Sequence, residues 1–210
     1  MSTAPATKAG FVLASKSASR RAMLDQAGAA YECVPADIDE REIEARLMGS
    51  APSIVALALA KAKARHVGEA LRGSIVLGSD SLVDVAGKRF DKPETRNQAA
   101  DHLRFFSGKV LELHSAAALW KPRAPGETEG RIVWSHADLA RMHVRALSDE
   151  FIERYLEAEW PAVSGCVGVF RIEALGVQLF ERIEGDYFTI LGMPLLPVLQ
   201  ALRENGALAG

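Results

Sequence analysis

Residues 75–93 read Ile75-Val76-Leu77-Gly78-Ser79-Asp80-Ser81-Leu82-Val83-Asp84-Val85-Ala86-Gly87-Lys88-Arg89-Phe90-Asp91-Lys92-Pro93. The apolar run Ile75–Leu77 suits a strand covered on both faces, and the Gly-Ser-Asp-Ser stretch after it places Asp80 where that strand stops. Leu82–Val85, an Ala86-Gly87 turn and Lys88–Phe90 make a hairpin that returns Lys92 beside Asp80. A carboxylate and an ammonium at the end of a buried strand suit phosphate and metal chemistry. Each residue alone has a plainer explanation: Asp is a favoured turn residue, and a lysine before proline is ordinarily solvated.

Working outward, Phe11–Ala14 forms a short strand. Ser15, Ser17 and Ser19 follow, before a helix with Met23, Leu24 and Ala27 inward and Gly28 at its end. Tyr31–Val34 is a second strand. Pro52–Leu71 is a long helix whose apolar stripe is Ile54, Val55, Leu57, Ala58 and Ala62. A helix from about Glu94 to Phe106 follows. Val110–Leu119 and Ile132–Arg145 pair as a long hairpin around the polar stretch Lys121–Arg131, which has a flexible tip. Ser148 opens an acidic-fronted helix, Val177–Ile183 and Tyr187–Ile190 form a hairpin, and Pro194–Asn205 closes the chain. Residues 1–10 read as a flexible terminus and 11–206 as one mixed α/β domain.

The chain has 210 residues, 49% of them hydrophobic, enough for a substantial core without metal or disulfide. Cys33 and Cys166 read as buried thiols in a reducing cytosol, and no stretch resembles a leader or a membrane span. A net charge of −2 gives the chain no bias toward polyanions, so nucleic acid is not an expected partner. A small anion held by local basic residues is compatible with that total.

The serines, Arg20 and Arg21 fall at a helix start, where free amides and the helix dipole favour phosphate and arginine can grip two of its oxygens. Lys61 lies near the apolar stripe of the long helix, where it can snorkel or reach into a polar cleft. Asp39 and Glu40 could ligate a hard divalent cation together with Asp80, or begin the next helix. The chain has no P-loop lysine motif, Gly-x-Ser-x-Gly elbow or Rossmann glycine motif, and its five histidines have no zinc-ligand spacing with either cysteine.

The chain resembles the Maf nucleotide pyrophosphatases from Leu13 to its last helix. The likeness is carried by Leu13-Ala14-Ser15-Lys16-Ser17-Ala18-Ser19-Arg20-Arg21, Asp39-Glu40, Leu57-Ala58-Leu59-Ala60-Lys61-Ala62, Gly78-Ser79-Asp80-Ser81, Lys92-Pro93, Ser107-Gly108, Ile183-Glu184-Gly185-Asp186-Tyr187-Phe188 and Gly192-Met193-Pro194-Leu195. The resemblance implies an α/β fold with a mixed central sheet flanked by helices, like that of inosine triphosphate pyrophosphatases. It implies a cytoplasmic homodimer that hydrolyses a nucleoside triphosphate to monophosphate and pyrophosphate with magnesium or manganese.

By the same resemblance, Asp80 is the proton acceptor, and whether it is base, metal ligand or both stays open. Ser15, Arg20, Lys61 and Lys92 match phosphate-contacting positions, with Ser17 beside them, and Glu40 matches an acidic position at the metal. Ser19, Ser81 and Glu173 are the expected specificity positions. Arg171-Ile172-Glu173 is similar to the branch acting on 7-methyl-GTP, whereas the branch acting on dTTP and UTP has Gln at the last position. A carboxylate accepts from both guanine N1–H and the exocyclic amine, and it suits a methylated, positively charged base. Ser19 stands where those branches have Trp and Arg respectively, and Leu111, Ala18 and Ala174 depart from a frequent His, Pro and Gly. The rival readings are the dTTP and UTP activity and a nucleotide-binding regulator of septum formation.

Overall fold

The structure is a computed structural model that describes residues 10–71, 73–123 and 129–209. Residues 1–9 and 124–128, where the flexible terminus and the flexible hairpin tip were expected, lie outside the described residues.

In chain order the strands are β1 (Phe11–Ala14), β2 (Tyr31–Cys33), β3 (Val76–Val85), β4 (Lys88–Phe90), β5 (Val110–Lys121), β6 (Arg131–Val144) and β7 (Phe180–Glu184). The helices are α1 (Ala18–Gln26), α2 (Glu40–Arg46), α3 (Pro52–Leu71), α4 (Arg96–Phe106), α5 (Asp149–Glu159), α6 (Tyr187–Ile190) and α7 (Leu195–Glu204). Among the described residues they build a seven-stranded mixed sheet in the order β2-β1-β3-β5-β6-β7, with β4 on the outer part of β3. β1 is parallel to both β2 and β3, and the remaining pairs are antiparallel. This is the α/β architecture expected, a mixed central sheet flanked by helices. Among the described residues no helix is long and apolar enough to cross a membrane.

α3 covers one face of the sheet. Ala56, Leu59 and Ala60 pack on Leu82, Ala116 and Ala118, while Ala64 and Val67 pack on Val12, Val76 and Trp120. The helix lies very close to β3. A Cβ on Gly78 would stand 2.2 Å from the Ala60 carbonyl oxygen and 2.6 Å from the Ala64 nitrogen, so only glycine admits that approach. α1 and α7 cover the other face with Met23, Leu24, Val198 and Leu202 against Phe11, Leu13 and Leu77. α4 and α5 enclose a third apolar region with Val83, Val85, Leu111 and Met142.

Several expectations are corrected. β3 does not stop at Asp80: it runs on to Val85 because residues 76–85 pair continuously with β5. The buried side of α3 is Val55, Ala56, Leu59, Ala60, Ala64, Val67 and Gly68, leaving Ile54 exposed and Leu57, Ala58 and Ala62 half-buried. Tyr187–Ile190 is a helical turn and not a strand, because the Asp186 carboxylate accepts from the amides of Phe188 and Thr189. Ala27 faces outward as the C-cap of α1. Cys33 is exposed on the short edge strand, and Cys166 is half-buried.

Candidate active site

Asp80 lies opposite Ala116 in the middle of β3. Strand alternation sends Asp80 and Leu82 toward α3, and Ser79 and Ser81 toward α1. Because Gly78 lets α3 sit against the strand, Lys63 reaches Asp80 from the buried side of the helix. Its position is four residues after Leu59 and three after Ala60, on the face that covers the sheet. The Lys63 Nζ stands 2.5 Å from Asp80 Oδ1 and 2.8 Å from Glu40 Oε1. The Asp80 and Lys63 side chains are 10% and 12% exposed, whereas that of Glu40 is 46% exposed, so the group opens to solvent on the Glu40 side.

Glu40 is brought there by α2. Asp39 caps this helix, its carboxylate accepting from the Glu42 amide at 3.0 Å. Ile43 and Leu47, three and seven residues after Glu40, pack against the α3 cluster and fix the helix over the site. Arg89 to Glu44 at 2.5 Å and Arg41 to Asp91 at 2.7 Å tie α2 to the β4 end of the hairpin. Of the two acidic residues expected at this junction, Asp39 starts the helix and Glu40 faces the site.

On the other face, Arg20 is buried and its guanidinium points inward. Nε donates to the Gly192 carbonyl at 2.9 Å, Nη1 to the Ser79 carbonyl at 3.0 Å and Ser15 Oγ at 3.2 Å, and Nη2 to Ser81 Oγ at 2.9 Å. Burial lowers the Arg20 pKa, and Asp80 and Glu40 pull it the other way, so the guanidinium lies within electrostatic reach of both carboxylates. Ser17 Oγ caps α1 by accepting from the Arg20 amide at 3.4 Å and pairs with Ser19 Oγ at 2.9 Å. Ser81 Oγ also donates to Gly192 O and contacts Ser115 Oγ. Ser15, Ser17, Ser19, Arg20 and Ser81 are therefore gathered where β1 ends against β3. The Arg20 hydrogen bonds run to protein oxygens, which makes this side chain a clip between elements as well as a local positive charge.

Lys61 is half-buried on the flank of α3, about 200° around the helix from Lys63. Lys92 lies exposed two residues beyond β4, whose pairing with β3 covers Val83–Val85, and the Asp80 carboxylate is held by Lys63. Lys92 also lies within electrostatic reach of Cys166. Burial pushes that thiol's pKa up, Glu173 adds to the rise, and Arg171 and Lys92 oppose it. Arg171 is anchored on the buried Glu159 carboxylate by Nε at 2.9 Å and Nη2 at 2.8 Å, leaving Glu173 exposed two residues on.

Lys63 and Glu159 were not singled out from the sequence. The signal for Lys63 was available: the Ala56, Leu59, Ala60, Ala64 period marks position 63 as facing the sheet, and a lysine on such a face needs a carboxylate.

The chemistry of the donors fits a divalent cation. Two carboxylates, from Glu40 and Asp80, already converge on one ammonium, and magnesium is commonly held by one or two carboxylates together with substrate phosphates and water. Among the described residues no three His, Cys, Asp or Glu side chains form an all-protein metal cage.

The Maf-like protein family model matches residues 10–205. Over 199 residues the chain is 45% identical to a 7-methyl-GTP pyrophosphatase of Rhizobium meliloti strain 1021, covering 94% of this chain and 96% of that protein. It is also 45% identical over 201 residues to a protein of the same name from Mesorhizobium japonicum, covering 95% and 98%. A nucleoside triphosphate pyrophosphatase of Nitrobacter hamburgensis is 42% identical over 198 residues, covering 94% and 95%.

Proposed function

This chain belongs to the Maf-like protein family, and on that premise we propose that it is a nucleoside triphosphate pyrophosphatase, releasing a monophosphate and pyrophosphate, with 7-methyl-GTP as its preferred substrate. The observation that carries the reaction class is the convergence of the Glu40 and Asp80 carboxylates on one cation position, 2.8 and 2.5 Å from a single Nζ, beside the Arg20 cluster. The names of the relatives support the same class.

Hydrolysis of a phosphoric anhydride needs charge neutralisation and an aligned water more than covalent chemistry. Asp80 Oδ1 is occupied by Lys63, and among the described residues no group donates to Oδ2. Oδ2 is the atom that accepts a proton from the attacking water and holds that water in line. The Arg20 guanidinium, fixed by four hydrogen bonds, places a rigid positive charge within electrostatic reach of the carboxylates. The Ser17 and Ser19 hydroxyls at the start of α1 offer donors to phosphate oxygens. Glu40 and Asp80 would hold magnesium or manganese, which would supply further charge neutralisation for the phosphates.

The substrate rests on Glu173. Its carboxylate is exposed on a segment that the Arg171–Glu159 pair anchors, which suits an acceptor for a guanine edge bearing the positive charge of N7 methylation. The test is kcat/KM for 7-methyl-GTP, GTP, dTTP, UTP and CTP, measured on the natural chain and on Glu173→Gln. The natural chain should prefer 7-methyl-GTP, and Glu173→Gln should lower that preference by about tenfold or more. A pyrimidine preference in the natural chain, or an unaltered ranking in Glu173→Gln, would refute the base assignment and leave the Asp80 chemistry standing.

A further inference from the structure

We propose that Lys63 is a built-in counter-cation that occupies the metal position between Glu40 and Asp80 and is exchanged for a divalent ion when that ion binds. The inference rests on the pyrophosphatase reading of this site and adds to it a residue that controls how tightly the metal is held.

The Lys63 Nζ is within 2.8 Å of one carboxylate oxygen and 2.5 Å of another, on side chains that come from separate elements, α2 and β3. An ammonium head has three donors and no acceptor, so it bridges the two carboxylates and relieves their repulsion. A hard divalent ion takes the same kind of oxygen ligands at about 2.0–2.1 Å for magnesium. Two cations cannot share that space beside the poorly exposed Asp80 carboxylate without strong repulsion. Metal binding therefore displaces the ammonium.

The geometry supplies a way out. Glu40 is the half-exposed member of the group, and the lysine stem has four flexible carbons. The displaced head moves toward the solvent side, where the triphosphate enters, and its charge passes from the carboxylates to the phosphates. Lys61 cannot substitute, because it projects from a different side of α3. Two consequences follow. Without metal, the carboxylates stay converged, so the ligand set is preorganised. With metal, part of the binding energy is consumed in breaking two ion pairs, so affinity is lower than two free carboxylates would give.

The experiment is a titration of the nucleotide-free protein with manganese, read by the loss of the free Mn²⁺ electron paramagnetic resonance signal, on the natural chain and on Lys63→Met, Lys63→Gln and Lys63→Arg. Exchange predicts about tenfold or greater tightening of Mn²⁺ binding in Lys63→Met and Lys63→Gln, and none in Lys63→Arg, which retains the charge. Circular dichroism establishes which variants fold, and the Gln variant carries the comparison if the Met variant does not. Equal or weaker binding in the neutral variants, with binding retained in the natural chain, overturns the exchange and leaves the metal site intact. Binding by neither the natural chain nor the neutral variants overturns the metal site itself, and the exchange with it.

Discussion

Arg20 and Gly192 are 172 positions apart in the chain, yet the Arg20 Nε donates to the Gly192 carbonyl at 2.9 Å. With the bonds to Ser15, Ser79 and Ser81, this one side chain joins the start of α1, the middle of β3 and the turn ahead of α7. Arg20→Met leaves those carbonyl and hydroxyl oxygens without their donor and should destabilise the fold by about 2–4 kcal/mol, read from urea unfolding. Arg20→Lys should recover little, since an ammonium lacks the planar fork. A variant with full stability and only a raised KM would show that Arg20 is a phosphate contact alone.

The β3–β4 turn carries a local strain that substitution should relieve. Ala86 and Gly87 both have positive φ, 55° and 76°, as a two-residue hairpin turn with a right-handed strand twist requires. Alanine is disfavoured there and asparagine is tolerated. Ala86→Asn should stabilise by about 0.5–1 kcal/mol and raise the melting temperature by roughly 1–4 °C. The side chain is exposed, so no packing change competes. An unchanged melting curve would mean that the turn is not strained.

His114 gives the fold a weakness toward acid. It is buried on β5, neither ring nitrogen has a hydrogen-bond partner among the described residues, and Glu112 Oε2 stands 3.7 Å from Nε2. Burial lowers its pKa, with Glu112 and Asp84 opposing that shift. The folded state therefore binds the proton less readily than the unfolded chain, whose value is near 6.5. Stability is fully present above about pH 6.5 and is lost as pH falls through the lower folded value. His102 shifts in the same direction for the same cause. His114→Leu should lose less stability than the natural chain between pH 7.5 and 5, measured by unfolding at each pH. Parallel pH curves would exclude His114 as a source of the acid loss.

The element order was legible because most of it is set locally. Pro52 and Gly73 bound α3, and Ser17, Thr95 and Ser148 cap their helices as such residues do. The site was harder to read because tertiary contacts override local signals there. Gly78, Ser79, Asp80 and Ser81 have turn-forming character, but pairing with β5 holds them in a strand. Two of them serve another purpose: Gly78 admits α3 by lacking a side chain, and the Ser81 hydroxyl accepts from Arg20. Asp80 and Glu40 were singled out in the sequence and share one lysine in the fold, a lysine that was not singled out. Lys61 drew attention as part of the family motif, and Lys63, two residues later on the buried side of the same helix, is the one that meets them.

The most direct test of the central claim is product analysis by phosphorus NMR after incubating the natural chain and Asp80→Asn with 7-methyl-GTP and magnesium. The natural chain should yield 7-methyl-GMP and pyrophosphate in equal amounts, and Asp80→Asn, folded by circular dichroism, should slow turnover by about 10²–10⁴-fold. Release of inorganic phosphate with 7-methyl-GDP, or full turnover by Asp80→Asn, would contradict the assignment of Asp80 as the group that activates water for pyrophosphate release.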